Sequence, residues 1–382
     1  MAQSKKRLNI LYVFGFNYSL NLWKESGALE REFYYFENLA RSEKVHITLI
    51  TYGDNVDYNL FNYQHISIIP IYSLLKKTNF KTLSFLKSLV FPFKIYKNLF
   101  HIDIIKQNQL TGSWVSIILK FLLKKPLYVR TGYDAYLFSI MDKKNVFKKI
   151  IFKTLTKLCL KYSDLYSVTS KSDYEFILSN YNFEESKLVL RPNWVLKSGK
   201  RVDIKAKNNK SILSVGRLEE QKNYNFLISM LKNSNFELTI VGDGSEKEKL
   251  IESAKANQVK LRVENGLSYF ELLELFRSYK YFILPSIYEG NPKVLLEAMS
   301  EGLVVFASKI PNHEEIIDDH ENGILFSLQN NELIDKLNRV SNNITLQNKL
   351  STSAALKMQN NYSVEICIEK ELSDYQNLLN KN

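Results

Sequence analysis

Tyr281-Phe282-Ile283-Leu284-Pro285-Ser286-Ile287-Tyr288-Glu289-Gly290-Asn291-Pro292-Lys293-Val294-Leu295-Leu296-Glu297-Ala298-Met299 passes from strand to loop to helix. The aromatic and β-branched run Tyr281 to Leu284, bounded by Pro285-Ser286, reads as a buried strand. Asn291 suits a helix N-cap and Pro292 the first helical position, where no amide hydrogen is needed. Glu289 then falls in the loop and Glu297 inside the helix. Ligands of an open parallel sheet bind beyond the carboxyl ends of its strands, where loop amides and helix N-termini point outward. The Gly290-Asn291-Pro292-Lys293-Val294 turn suits phosphate or sugar oxygens, and the two carboxylates suit hydroxyl donors. The same residues also fit a plainer role. Glu297 stands four after Lys293, as in an exposed helix pair, and Glu289 fits a solvated loop position.

A second stretch has the same grammar. Ser211 to Val215 reads as a strand, Gly216-Arg217-Leu218-Glu219-Glu220-Gln221-Lys222-Asn223 as its loop, and Phe226, Leu227 and Met230 as the apolar side of the next helix. In a parallel sheet, Arg217 and Lys222 come to the edge that carries Glu289. Cations suit a diphosphate and carboxylates suit the hydroxyls of a sugar.

Gly216-Arg217-Leu218 with Lys222-Asn223, Pro285-Ser286, Glu289-Gly290 and Glu297-Ala298-Met299 together resemble retaining glycosyltransferase family 4 of the GT-B fold. Ile310-Pro311-Asn312-His313-Glu314-Glu315-Ile316 and Asn322-Gly323-Ile324-Leu325 resemble its closing segments. The resemblance implies two Rossmann-like doubly wound α/β domains facing a cleft, with the donor nucleotide-diphosphate sugar held mainly by the second and the acceptor by the first. It further implies retention of anomeric configuration. Arg217 and Lys222 would stabilise the leaving diphosphate in place of a metal ion, Glu289 would hold sugar hydroxyls and Glu297 the ribose. Neither a cofactor nor a metal is expected.

The 382 residues suffice for two domains. We place them at 1–195 and 196–362, with a final helix, 363–382, crossing back to the first. Two cysteines, Cys159 and Cys367, make no disulfide framework and fit a reducing compartment. Lys5-Lys6-Arg7 before an apolar run imitates a leader, but Asn9 and Gly15 interrupt that run, so it reads as the first strand. No apolar run approaches a membrane span. The expected location is the cytoplasm, peripheral on the inner face of the membrane.

Charge is uneven. Residues 1–200 hold 30 Lys and Arg against 15 Asp and Glu, a net +15 within a chain of +12. Basic surfaces attract nucleic acid, acidic lipid and phosphorylated substrates alike. Nucleic acid is set aside because no RNA or DNA module accompanies the lysines. Two basic stretches stand out. Lys76, Lys77, Lys81, Lys87, Lys94 and Lys97 alternate with aromatic and aliphatic residues up to Phe100, Pro92 breaks the pattern, and the stretch suits an anionic membrane interface. Lys144, Lys148, Lys149, Lys153, Lys157 and Lys161 read instead as the solvated face of a packed helix.

The first half alternates strands (8–14, 45–51, 66–71, 102–106, 127–130 and 164–169) with helices (28–41, 81–99, 114–123, 145–162 and 171–179), hence a parallel doubly wound sheet. Gly15 to Gly27 is a long connection at a strand's carboxyl end. In the family it approaches the donor phosphates; Gly27 matches the family's glycine, Ser26-Gly27 replaces its glycine pair, and Gly27 serves equally to start the helix. Where many members carry a histidine on the acceptor side, this chain reads Arg130-Thr131-Gly132-Tyr133-Asp134. Arg130, Tyr133 and Asp134 stand as replacements, Asp134 being equally suited to cap the next helix. Lys197 to Lys210 reads as a linker. Strands follow at 211–215, 236–241, 259–263, 280–284 and 303–307, and helix after 328. Gly242-Asp243-Gly244 fails as a dinucleotide motif because Lys247 takes the third glycine's place. The acceptor is expected to be a saccharide or lipid-linked saccharide in cell-surface polysaccharide or glycolipid biosynthesis. Rival readings are a sugar phosphorylase, a nucleotide-sugar epimerase or a basic nucleic-acid-binding protein; nothing identifies the cofactor lysine that a phosphorylase needs.

Overall fold

The computed structural model describes residues 7–41, 45–197 and 207–381. Lys5, Lys6 and most of the linker after Lys197 lie outside them. The chain divides into two units, one running through Arg191 and resuming at Ile368, the other Pro192–Cys367. The first division precedes residue 195 because Asn193 and Val195 already bond within the second unit, Asn193 to Asn291 and Val195 to Ser363.

The first unit contains strands β1 Leu8–Val13, β2 Val45–Thr51, β3 Ile66–Pro70, β4 Ile104–Asn108, β5 Leu127–Arg130, β6 Leu165–Val168 and β7 Leu188–Leu190. Its helices are α1 Leu20–Glu25, α2 Leu29–Arg41, α3 Ile71–Leu74, α4 Lys81–Ile95, α5 Ser113–Leu123, α6 Ala135–Met141, α7 Val146–Tyr162 and α8 Lys171–Asn180. The strands lie parallel in the order β3-β2-β1-β4-β5-β6-β7. Leu11 and Val13, on one face of β1, share a core with Phe91 and Ile95 of α4, Val115 and Leu119 of α5, and Cys159 and Leu160 of α7. Each such side chain, fully buried, contributes about 1.5–3 kcal/mol.

The second unit contains β8 Asn208–Val215, β9 Glu237–Val241, β10 Lys260–Glu264, β11 Tyr279–Leu284, β12 Val304–Ser308 and β13 Ile324–Phe326. Its helices are α9 Tyr224–Met230, α10 Lys247–Ala256, α11 Tyr269–Ser278, α12 Lys293–Ser300, α13 Pro311–Glu314, α14 Glu332–Ser341 and α15 Ile344–Asn361; α16 Val364–Asn380 begins here and belongs to the first unit from Ile368. These strands are parallel too, ordered β10-β9-β8-β11-β12-β13. Strand order reverses between β8 and β11, the place where a doubly wound sheet opens a crevice at its carboxyl edge.

Three expectations are corrected. Pro92 does not break its helix: α4 runs through it to Ile95 and continues as a 3-10 turn, with Phe91 and Pro92 buried against the core. The connection from Gly15 to Gly27 is not open loop, since Ser19 caps α1 inside it. The basic stretch 144–161 is more than a solvated face, because α7 exposes Val146, Phe147, Ile150, Ile151 and Leu158 beside its lysines.

In the first unit, α16 is tied to the sheet by a buried ion pair. Lys106 of β4 lies 2.6 Å from Glu371, and its ammonium stands 5.2–5.8 Å from the ring centroids of Tyr12, Tyr128 and Tyr375. The hydroxyls of Tyr35 and Tyr375 both donate to Glu371. Burial alone would raise the Glu371 carboxyl, but Lys106 and these hydroxyls hold it below its usual range. Arg191 adds a two-pronged contact to Asp374.

Candidate active site

In the second unit the carboxyl ends of β8 and β11 lie side by side, because Ile212 and Leu213 register with Tyr281 and Phe282. The loops that follow are joined: the Ile287 amide donates to the Gln221 carbonyl (2.9 Å), and the Gln221 side chain to the Tyr288 carbonyl (2.8 Å). This brings Lys222, in a 3-10 turn, to Glu289. Its ammonium donates to Glu289 Oε1 at 2.5 Å, and Ser286 donates to the same oxygen at 2.6 Å. Both charged partners are buried, Lys222 at 8% and Glu289 at 8% exposure. Desolvating such a pair is costly unless further hydrogen bonds satisfy it, and Ser286 supplies one.

Gly216 makes room for this arrangement. A Cβ there would stand 3.0 Å from Lys222 Cε, and one on Gly242 would fall 2.0 Å from the Gly216 carbonyl oxygen, with both residues at positive φ. The glycines at 242 and 244 therefore pack the ends of β8 and β9 together, consistent with rejecting them as a dinucleotide motif. Arg217 is exposed and, among the described residues, its side chain reaches Gln221 alone, at 3.4 Å.

The Asn291 and Pro292 expectations are corrected. Helix α12 starts at Lys293, and Pro292 occupies the N-cap position without a side-chain capping bond of its own. Asn291 faces elsewhere: its side-chain oxygen accepts from the Asn193 amide (2.9 Å) and its carbonyl from the Asn193 side chain (2.7 Å). The local preference for capping yields to a partner 98 residues away. Gly290 is buried, while Lys293 and Val294 are half-buried on the first turn. Glu297, at 1% exposure, is not half of an exposed helix pair, and Glu289 is no solvated loop residue.

Behind Glu289 stands His313, which the sequence places in a motif without giving it a role. It is fully buried, and its Nδ1 lies 2.8 Å from the Ser308 carbonyl, so Nδ1 carries the proton and donates. Burial, reinforced by Lys222 and opposed by Glu289 and the Ser308 bond, pulls its pKa down to about 4. The Ser308 hydroxyl donates to the Ser286 carbonyl, linking β12 to the cluster. Ser286 is legible as part of a motif; Gln221 and Asn193 carry no local signal.

At the corresponding edge of the first unit the expected residues disperse. Gly27, at φ +71°, terminates α1: its amide donates to the Lys24 carbonyl and that of Ala28 to the Trp23 carbonyl, the paired bonds of a Schellman cap. Arg130 donates to the Arg191 carbonyl at 2.9 Å. Asp134 is buried and caps α6, accepting from the Leu137 amide at 2.7 Å; burial raises its pKa to about 6. Tyr133 is exposed and leans on Phe138. Among the described residues no cluster of His, Cys, Asp and Glu could hold a metal ion, and no helix is long and apolar enough to cross a membrane.

The glycosyl transferases group 1 model matches residues 199–357. An uncharacterized glycosyltransferase of Haemophilus influenzae is 32% identical over 195 residues, which are 48% of this chain and 52% of that protein. The N-acetylgalactosamine-N,N'-diacetylbacillosaminyl-diphospho-undecaprenol 4-alpha-N-acetylgalactosaminyltransferase of Campylobacter jejuni is 28% identical over 205 residues, 50% of this chain and 54% of that one. This chain thus spans about half the length of these two relatives. Among solved structures, sucrose-phosphate synthase from Thermosynechococcus elongatus matches with a TM-score of 0.80 at 16% identity, covering 98% of this chain and 100% of that one. Anabaena HepE in complex with UDP-glucose gives 0.71 at 16%, covering 96% and 100%. At these identities the structural likeness speaks for fold alone. The family match thus fills most of the second unit, where this chain is similar to glycosyl transferases group 1, and the likeness to solved structures gives the GT-B fold over both sheets.

Proposed function

We propose that this protein is a retaining, hexosyltransferase-type glycosyltransferase that moves a sugar from a nucleotide-diphosphate sugar to a saccharide or lipid-linked saccharide. Its place would be cell-surface polysaccharide or glycolipid biosynthesis, on the cytoplasmic face of a membrane. The observation that carries the reading is the Lys222–Glu289–Ser286 cluster at the adjoining ends of β8 and β11, inside the segment that matches the family. The Campylobacter jejuni relative, whose name specifies transfer to a diphospho-undecaprenol saccharide, supports the acceptor class, and the HepE complex supports the donor class.

In this reading Gly216, Gly290, Asn291, Pro292, Lys293 and Val294 shape the donor site, and the N-terminal end of α12 faces phosphate oxygens. Lys222 and Arg217 supply positive charge as the bond between the anomeric carbon and the diphosphate oxygen breaks. The acceptor hydroxyl attacks from the same face and its proton passes to the leaving diphosphate. Glu289 Oε1 is engaged by Lys222 and Ser286, so Oε2 is the oxygen assigned to a sugar hydroxyl. Glu297 serves the ribose. Gly27 remains a donor-binding candidate, held by the cap at the end of α1, and on the acceptor side Tyr133 is the most open of the three candidates.

The two cations make a metal ion unnecessary in this scheme. The test is transfer in the presence of EDTA with a panel of nucleotide sugars, first ranked by thermal shift, since a donor that binds only the folded state raises Tm. Activity should survive chelation, and the product should keep the donor's anomeric configuration by proton NMR. Loss on chelation with rescue by manganese, or an inverted product, would sink the mechanism.

A further inference from the structure

The outer surface of the first unit carries a feature that donor chemistry does not use. Helix α5 packs between α4 and α7, all three burying their inner sides in one core. Their outer sides are not the usual polar covering. On α4 and the residue before it, Phe80, Leu83, Leu86, Val90 and Phe93 are exposed at intervals of three and four, which sets them in one stripe. On α7, Val146 (70% exposed), Phe147 (72%), Ile150 and Ile151 form a second apolar group, joined by Ile140 and Met141 at the end of α6. Phe121 of α5 is exposed between them.

The charge on these three helices is of one sign, and the acids beside them are Asp164, paired with Lys120, and Asp142. Helices α4, α5 and α7 carry nine lysines and neither an aspartate nor a glutamate. Among the described residues no ion pair engages Lys148, Lys149, Lys153, Lys157 or Lys161. The nearest acid in sequence, Asp142, lies 3.4 Å from Lys144 in the turn between α6 and α7. A protein partner with a single acidic pocket would not match lysines spread over three helices, whereas a plane of anionic headgroups over hydrocarbon matches both the lysines and the apolar tips. Helices α4 and α7 run back toward the strands that come next, β4 and β6, so their apolar starts lie toward the sheet's carboxyl edge, where an acceptor is expected to enter.

We propose that the α6–α7 hairpin, with Phe147, Ile150 and Ile151 as the inserting tip, anchors the first unit on an anionic bilayer, and that the outer stripe of α4 completes the contact. This deepens the lipid-linked acceptor reading and rests on it for its biological purpose. It moves the principal anchor from the Lys76–Phe100 stretch to a helix whose sequence reads as merely solvated.

The test is sedimentation of the full chain with vesicles of phosphatidylcholine alone or mixed with phosphatidylglycerol. The wild type should bind the mixed vesicles, more weakly as salt rises, and the neutral ones far less. Phe147→Ser with Ile150→Ser should lower the partition coefficient at least tenfold without altering Tm, because both side chains are already in water. Lys148→Glu with Lys149→Glu should abolish the preference for phosphatidylglycerol. Both variants should hydrolyse nucleotide sugar like the wild type. If no form hydrolyses any donor while vesicle binding follows this pattern, the glycosyltransfer reading fails and the anchor stands. Equal binding to both vesicle types, or full binding by the serine variant, would overturn the anchor. So would loss of a dimer in the serine variant, seen by sedimentation velocity, with vesicle binding unchanged; the face would then be a subunit interface.

Discussion

Among the described residues each unit holds a buried lysine–glutamate pair, and the two pairs differ in what surrounds them. Lys106–Glu371 lies between a mid-sheet strand and α16, walled by three tyrosine rings and completed by two tyrosine hydroxyls. Lys222–Glu289 lies at the carboxyl edge of its sheet, where one serine is its further hydrogen-bonding support and both bonds fall on the same carboxylate oxygen. The same chemistry thus serves two ends. Where aromatic side chains saturate the pair it holds a helix in place, and where the pair sits at a strand end it leaves capacity for a ligand.

The sharpest way to separate the two is to break the structural pair. Lys106→Ala leaves the Glu371 carboxylate buried without its cation, a defect that costs about 3–5 kcal/mol. Urea denaturation should show that loss in a transition involving the first unit, while nucleotide binding to the second persists at low denaturant. A change below 1 kcal/mol would mean that water or a rearranged partner compensates Glu371.

Acid and base should weaken the two units in opposite directions. The Asp134 carboxyl is raised by burial from 3.8 to about 6, so across that range the folded first unit keeps a proton that the unfolded chain releases, and its stability falls as pH rises. His313 is lowered from 6.5 to about 4, so across that range the unfolded chain takes up a proton that the folded second unit refuses, and its stability falls as pH drops. Each effect is on the order of 3 kcal/mol when fully developed. Asp134→Asn, which retains a capping oxygen, should flatten the slope of the first unit's stability above pH about 4. His313→Asn should flatten that of the second below about 6.5. The same sign of slope in both units of the unmutated protein would erase the contrast.

Glu289→Gln probes the other pair. Glutamine keeps an oxygen for Ser286 and Lys222 but loses the charge, so turnover should fall about a hundredfold, near 2.7 kcal/mol in the barrier. Binding of the nucleoside diphosphate alone, measured by calorimetry, should stay within about threefold. Loss of diphosphate binding in parallel with turnover would make Glu289 a support for the phosphate site rather than for the sugar.

How much of this was legible follows the range of the forces involved. Buried parallel strands such as Leu127–Arg130 and Val45–Thr51 announce themselves through short runs rich in β-branched, aliphatic and aromatic residues, and α7 through its capping Asn145 and its period. Gly216, Lys222 and Glu289 can be brought to one edge from spacing alone, because a parallel sheet aligns its carboxyl ends. Three-residue strands such as β7 and β13 leave too little pattern to read, and α6, Ala-Tyr-Leu-Phe-Ser-Ile-Met, is too short and too apolar to show a face. Contacts between distant residues are silent in the sequence. Asn291 looks like a cap until Asn193 arrives, and nothing near Lys106 names Glu371. The apolar tip of α7 is hidden for a related reason: which side of a helix the core takes is decided by its neighbours.

The smallest effect is expected at Arg217, and it tests whether the crest works by charge. Arg217 is exposed, with a single long contact to Gln221, so Arg217→Ala should leave stability within about 0.5 kcal/mol, as for ordinary surface substitutions. Its charge would matter chiefly as the diphosphate departs, which places the loss in kcat rather than in KM. The charge acts partly through water, so the expected loss is about tenfold, or about 1.4 kcal/mol, well short of that at Glu289. Arg217→Lys should recover most of it, because a point charge at the same place still meets a diphosphate although it loses the planar fork. Steady-state rates for the two variants at several ionic strengths, with and without added manganese, distinguish the possibilities. Full activity in Arg217→Ala would remove Arg217 from the leaving-group site and leave Lys222 to carry it, while restoration by manganese but not by lysine would show that a metal ion can take the arginine's part.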